Sequence, residues 1–293
     1  MSDFPAPAER HSEAYGVDIV SDPIEIALLE ARNALAQMDF AMSLLNQWLS
    51  NPEFVLKFSH LLHLNRIALE GVKFSGGTFR VTPMRISNSA HSPPDPEDVP
   101  DLIEDFCTYI NDNFHRKSPL HLAAYALWRL NWIHPFVDGN GRTSRVVSYL
   151  LLSARLGFQL PGHHTIPEQI AANKTPYYAA LDAADRAFLK GEVDVSAMEE
   201  VISSCLAQQL LDVHGNATAA APSMVSPRVP TLVVRYNYAD GTYTPKYLLS
   251  VSETIRTAKY EKTDNWIEKN PVLVTAVSTI IAAFLGYLLP KFF

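Results

Sequence analysis

The sequence predicts an all-α fold with one small β-hairpin, followed by a C-terminal extension and a single transmembrane helix. Three observations predict it. Apolar residues recur at spacings of three and four through most of the first 213 residues, the period of amphipathic helices. Before residue 214 only Thr78 to Ile86 reads as strand. Between Lys269 and Lys291 lie 21 residues without a charge.

Composition narrows the class. The 293 residues are 47% hydrophobic and 19% charged, which excludes disorder over most of the chain. Twenty prolines and 12 glycines without a triplet period exclude a collagen-like sequence, and two cysteines exclude a disulfide scaffold and agree with a reducing compartment. A net charge of -7 argues against a nucleic-acid partner, whose phosphates call for a basic surface. That charge is uneven: residues 1–230 carry -9 and residues 231–293 carry +2.

The first 50 residues form an N-terminal helical region, where Ile26, Leu29, Leu35, Met38, Met42 and Leu45 line one face of a helix from Pro23 to Ser50. Asn51-Pro52 stops it, and residues 51–213 make the main domain. A second helix runs to about Glu70. Ser75-Gly76-Gly77 then introduces two short strand-like runs, Thr78 to Val81 and Met84 to Ile86, broken at Thr82-Pro83 and expected to pair as a hairpin. Helices follow at about Glu97–Asn113, Pro119–Ile133, Gly141–Leu156, Thr175–Leu189 and Val195–Val213. Residues 214–230, rich in Ala and Pro, read as a linker. Residues 231–270 hold a second hairpin around the Asp240-Gly241 turn and a polar juxtamembrane helix.

Residues 271–289 are the expected transmembrane helix. Nineteen residues at about 1.5 Å rise span roughly 28 Å, close to the thickness of a bilayer's hydrocarbon. The competing reading is a buried core helix, but a globular helix of this length nearly always carries charge on a solvent face. Arg256, Lys259, Lys262 and Lys269 precede the run and only Lys291 follows, so the basic side, with the body, is expected in the cytoplasm as a tail-anchored protein. Met1-Ser-Asp-Phe-Pro lacks the basic and apolar regions of a secretory leader.

The chemistry is concentrated in His134-Pro-Phe-Val-Asp138-Gly-Asn-Gly-Arg142-Thr-Ser-Arg145. Pro135 cannot continue the preceding helix and Gly139-Asn140-Gly141 permits a tight turn, so the segment is a loop feeding a helix N-terminus. Free N–H groups and the helix dipole there attract anions. Arg142 and Arg145, three apart, share a face and can grip outer phosphates, while Asp138 offers the hard oxygen that Mg2+ takes beside substrate phosphates. His134 can accept a proton near neutral pH. Phe136 reads as an apolar plug into the core. A mere capped helix would not need His, Asp, Asn and two Arg together.

These residues resemble the signature of the Fic domain family of nucleotidyl transferases, His-x-Phe-x-[Asp/Glu]-Gly-Asn-Gly-Arg-x-x-Arg, at all eight fixed positions. The resemblance covers about residues 50 to 205. It implies a Fic-type helical domain that uses ATP and Mg2+ to transfer AMP to a Ser, Thr or Tyr hydroxyl of a target protein. By it His134 is the general base, Asp138 the metal ligand, Gly139, Asn140 and Gly141 the anion hole, and Arg142 and Arg145 the phosphate clamps, with Thr143 and Ser144 in the same nucleotide-binding segment. Thr78, Phe79, Arg80, Ile86, Ser87, Ala90 and His91 resemble the flap on which a target segment pairs as an added strand. Tyr177, Tyr178 and Asp185 resemble the helix beside the adenosine, although helix tyrosines at this spacing also suit ordinary core packing.

Many family members carry an inhibitory helix reading [Ser/Thr]-x-x-x-Glu-[Gly/Asn], whose Glu pairs with the arginine corresponding to Arg145. This chain has no such string. Glu70-Gly71 has Arg66 at the hydroxyl position, and Glu30 lies between Ile26 and Ala31. The resemblance therefore leaves a degenerate helix around Glu30, constitutive activity, or a separate antitoxin-like inhibitor. UTP or a choline-bearing dinucleotide as donor, removal of AMP, and a non-catalytic membrane-anchored adaptor are the alternatives to AMP transfer. A kinase-like activity is disfavoured because Gly141 is retained. His60 with His63, and His163 with His164, lack the further ligands of a zinc site. Cys107 and Cys205 read as small apolar helix residues.

Overall fold

The computed structural model describes residues 9–13, 18–51, 53–162 and 164–219. The chain divides into two units, Met1–Leu206 and Ala207–Phe293. Of the second, only the end of the last helix is described.

The first unit is helical. Helix α1 (Pro23–Ser50) opens with Pro23 in its first turn and is capped by Asp22, whose carboxylate accepts from the N–H groups of Ile24 and Glu25 at 2.7 and 3.1 Å. Helix α2 (Phe58–Ala68) ends two residues before the expected Glu70 and leaves through Gly71, which has a φ of +73°. A 3-10 turn (Pro96–Asp98) leads into α3 (Val99–Asn113). Helix α4 (Pro119–Ile133) is capped by Ser118, which accepts from His121 N–H at 3.0 Å. Then come α5 (Asn140–Leu156), α6 (Ile166–Ala172), α7 (Lys174–Phe188) and α8 (Ser196–Ala219). Helix α6 was not expected, although Thr165 and Glu168 form its capping box. Helix α8 continues past Val213, so the first residues of the expected linker are helical.

Helices α4 and α5 are the centre. Helix α5 also packs on α1, α2 and α6, and α4 on α3 and α7. Burial on almost every side explains their sequences: α4 buries Leu122 through Trp128 without a break, and α5 buries Val146 through Ser153. Small residues permit close approach, and Ser148 Oγ donates across it to the Ala123 carbonyl at 2.9 Å. The hinge between the two helices is residues 134–139, where the signature lies.

The expected hairpin is not formed. Its first arm joins the signature loop through a bridge between Phe79 and Phe136, with Arg80 N–H donating to the Pro135 carbonyl at 2.8 Å. Its second arm, strand β2 (Arg85–Ile86), pairs instead with strand β1 (Ser12–Glu13), antiparallel, with Ser12 opposite Ile86 and Glu13 opposite Arg85. Thr82-Pro83 keeps the arms from closing on each other, since Pro83 offers no N–H. The second hairpin, the juxtamembrane helix and the 271–289 span lie outside the described residues. Among the described residues no helix is long and apolar enough to cross a membrane.

Candidate active site

His134 caps the C-terminus of α4 in the left-handed conformation, at φ +51° and ψ +58°. A non-glycine residue there is strained by roughly 1–2 kcal/mol, so its surroundings must hold it. Its N–H donates to the Leu130 carbonyl at 3.0 Å and its carbonyl accepts from Arg80 Nε at 2.8 Å. The ring is buried. Its Nδ1 lies 3.2 Å from the Asn131 carbonyl, which can only accept, so Nδ1 carries the proton and Nε2 presents its lone pair. Burial lowers the imidazole pKa to about 4, reinforced by His91 and Arg80 and opposed by the Asn131 carbonyl and Asp138. The imidazole is neutral at neutral pH and ready to accept a proton at Nε2. What it faces is the hydroxyl of Ser12, at 2.9 Å.

The loop beyond is held by two asparagines. Asn140, buried, accepts from Phe136 N–H at 2.9 Å and donates to the Phe136 carbonyl at 2.8 Å, closing the loop on itself while Phe136 fills the core. Its side chain is committed to that closure. Asn65 on α2, fully buried, donates to the Asp138 carbonyl at 2.9 Å and accepts from Gly77 N–H at 3.0 Å. Gly139 has a φ of +77°, and a Cβ there would lie 2.8 Å from Asn65 Nδ2. Only glycine fits between that amide and the turn.

A cavity of about 390 Å³ opens in front of the α5 N-terminus, within the range of small-molecule sites. His134, Asp138, Gly139, Asn140, Gly141, Arg142, Arg145, Tyr177, Tyr178, Asp185, Ile86 and His91 line it. Arg10, Lys73 and Lys174 bring further cations to the same wall. Among the described residues Arg145 has no carboxylate partner, and burial lowers its pKa. Arg142 donates to Glu30 Oε1 at 2.9 Å and lies 3.6 Å from Asp138 Oδ2. Glu30 thus meets Arg142 rather than Arg145.

Several expected residues are elsewhere. Thr143 and Ser144 do not line the cavity: they occupy the inward face of α5, where Ser144 Oγ accepts from Asn131 Nδ2 at 2.8 Å and Thr143 Oγ1 lies 3.4 Å from Asn65 Nδ2. Positions 142 and 145 face the cavity because they stand three apart. Arg80 is not a docking side chain but an interior strut, 1% exposed, with its guanidinium donating to the carbonyls of His134 and Pro94. Phe79 is spent on the Phe136 bridge, and Thr78 Oγ1 bonds the Ser75 carbonyl at 2.9 Å. Ala90 is exposed and outside the cavity lining. Ser87 lies on the flap edge, where its Oγ accepts from His11 N–H at 2.8 Å.

One wall of the cavity is built from α7, which contributes Tyr177, Tyr178, Leu181 and Asp185. Tyr177 is buried, which pushes its phenol pKa to about 12 despite Arg145 nearby. Tyr178 lies beside it, ring centroids 5.5 Å apart, with the Arg10 guanidinium 4.6 Å above. Asp185 accepts from Trp128 Nε1 at 2.8 Å and lies 3.8 Å from His91 Nδ1; burial raises its pKa. Among the described residues no group of three or more His, Cys, Asp and Glu can hold a metal ion. His60 and His63 pack against Trp48 and Phe40, and burial raises the Cys107 thiol to about 12, consistent with an inert core residue. Asn65, Asn131 and the segment 10–12 had no signal in the sequence beyond polar residues outside the signature.

Residues 55–152 match the model of the Fic/DOC family. A "Protein adenylyltransferase Fic" of Drosophila persimilis is 32% identical over 206 residues, 69% of this chain and 37% of that protein. The protein of the same description from Drosophila virilis is 33% identical over 207 residues, 69% of this chain and 39% of that protein. A Fic domain containing signaling protein from Bacteroides thetaiotaomicron superposes with a TM-score of 0.53 at 21% identity, over 67% of this chain and 76% of that one. That likeness is one of fold. The chain spans less than two thirds of the length of these curated relatives, 37% and 39%.

Proposed function

With residues 55–152 matching the Fic/DOC family, we propose that this chain transfers AMP from ATP to a Ser, Thr or Tyr hydroxyl of a target protein. The observation that carries the reading is a neutral His134, Nε2 free to accept, with a hydroxyl 2.9 Å away at the wall of a cationic cavity. In the reaction Nε2 takes the proton of the attacking hydroxyl while its oxygen bonds to the α-phosphorus, and the bond from that phosphorus to the bridging β-oxygen breaks. Pyrophosphate leaves against Arg142, Arg145 and the α5 N-terminus, whose N–H groups and dipole favour the departing charge.

Asp138 is the residue that would hold Mg2+. It is a single carboxylate at the cavity wall, which suits an ion that takes one or two carboxylates and fills its shell with phosphate oxygens and water. When bound, Mg2+ neutralises charge on the phosphates. Glu30 restrains the site by occupying Arg142. Residues 271–289 attach the chain to a membrane with the body on the cytoplasmic side, supported by the uncharged run and the basic residues before it.

The test is incubation of the full chain with α-labelled and, separately, γ-labelled ATP in the presence of a cell lysate. Relative to lysate alone, the added chain raises α label in protein and leaves γ label at the lysate's own level, and His134→Ala lowers the chain-dependent rate by about 10²- to 10⁴-fold, the usual contribution of a positioned base. A rise in γ label that depends on the added chain and on His134, without a rise in α label, overturns AMP transfer in favour of phosphorylation.

A further inference from the structure

The flap edge already carries a strand, and that strand belongs to the chain itself. Strand β1 pairs with β2 in the manner of an added strand, a mode in which the backbone supplies affinity and alternate side chains supply position. The pairing extends beyond its two residues. Ser87 N–H donates to the His11 carbonyl at 2.9 Å, His11 N–H donates to Ser87 Oγ at 2.8 Å, and Asn88 Nδ2 donates to the Glu9 carbonyl at 2.8 Å. Arg10, His11 and Ser12 all line the cavity. Arg10 forks onto both carboxylate oxygens of Asp182, at 2.9 and 2.8 Å, and covers Tyr178. Ser12 then comes within 2.9 Å of His134 Nε2.

We propose that Ser12 is a self-modification site, the hydroxyl to which this chain transfers AMP within its own molecule. The proposal rests on the adenylyl-transfer reading above. Two features separate an acceptor from a simple plug. The residue opposite the base carries a nucleophilic oxygen, in the hydrogen bond that proton removal requires. The hydroxyl also opens on the right space: residues 10–12 stand in the wall of the same cavity of about 390 Å³ that Arg142 and Arg145 line.

Ser12 Oγ forms a bond to the α-phosphorus of ATP, the α–β phosphoanhydride bond breaks, pyrophosphate leaves with that electron pair, and the Ser12 proton passes to His134 Nε2 and then to solvent. The product is a serine–AMP phosphodiester on residue 12. Because β1 lies on the flap of its own chain, the reaction is first order, and its rate constant is independent of protein concentration.

The purified full chain is incubated with α-labelled ATP and Mg2+, alone and with a cell lysate, and peptides spanning residue 12 are read by mass spectrometry. Wild type and Ser12→Thr, which keeps the hydroxyl, gain one AMP group on residue 12. Ser12→Ala lowers label on that peptide by about 10²-fold or more, the scale on which losing a reacting group is felt. Over a tenfold dilution the rate constant stays unchanged. A His134→Ala chain mixed with active protein stays unlabelled at Ser12. Label in lysate proteins with residue 12 unmodified overturns the proposal and leaves AMP transfer standing. A rise in lysate labelling by Ser12→Ala, with the wild-type serine bare, overturns it in favour of a steric block. Absence of label from both the chain and the lysate overturns the proposal and the adenylyl-transfer reading together.

Discussion

At the scale of single residues, His134 shows how a reactive side chain is made from position. An ordinary histidine would be partly charged near neutrality. This one is buried against the Asn131 carbonyl, with Arg80 holding its own carbonyl, and the pKa falls to about 4. The unfolded chain takes up this proton near pH 6.5 and the folded chain only near pH 4. Stability from keeping the ring neutral is therefore whole above pH 6.5 and drains away as pH falls toward 4. The same shift governs activity. The acid limb of kcat/KM against pH should bend near 4, with a plateau through neutrality; a bend at the ordinary histidine value would show that the ring titrates as an exposed group.

At the scale of elements, helix α1 reaches the site through Glu30, its eighth residue. Its amides Asn33 and Gln37, buried, donate to the carbonyls of Glu70 and Leu64 at 2.7 and 2.9 Å and fix the helix on α2, and that register delivers Glu30 to Arg142. A half-exposed ion pair is worth roughly 0.4–1 kcal/mol. Glu30→Ala should then raise kcat/KM for ATP by about two- to fivefold, mostly through a lower KM, which steady-state kinetics at fixed target concentration will show. An unchanged KM would remove Glu30 from the control of Arg142. The flap teaches a different lesson about elements. Two runs of strand-like residues near a proline were legible between Thr78 and Ile86, but neither run's partner was: one bonds the signature loop and the other a segment 72 to 74 residues away in sequence.

At the scale of the whole molecule, the net charge hides a local concentration of cations. A chain of net charge -7 gathers Arg10, Lys73, Arg142, Arg145 and Lys174 around one cavity, which is a local field that the total conceals. The proposed membrane attachment is tested at this scale: the full chain should sediment with membranes, deletion from Pro271 onward should release it, and full-length protein that stays in the supernatant without detergent would remove the anchor. Helix periods, caps and the signature from His134 to Arg145 were determined by the sequence alone, because they depend on residues within one or two turns of each other. Within that signature the sequence also marked Phe136 as the plug and Arg142 and Arg145 as sharing a face. Only the tertiary structure decided that Arg80 is a strut, that Thr143 and Ser144 turn inward, that Asn65 carries the loop, and that Ser12 meets His134. Each of those depends on hydrogen bonds closed between segments far apart in sequence, whose pairing follows from burial and shape and leaves no period to read.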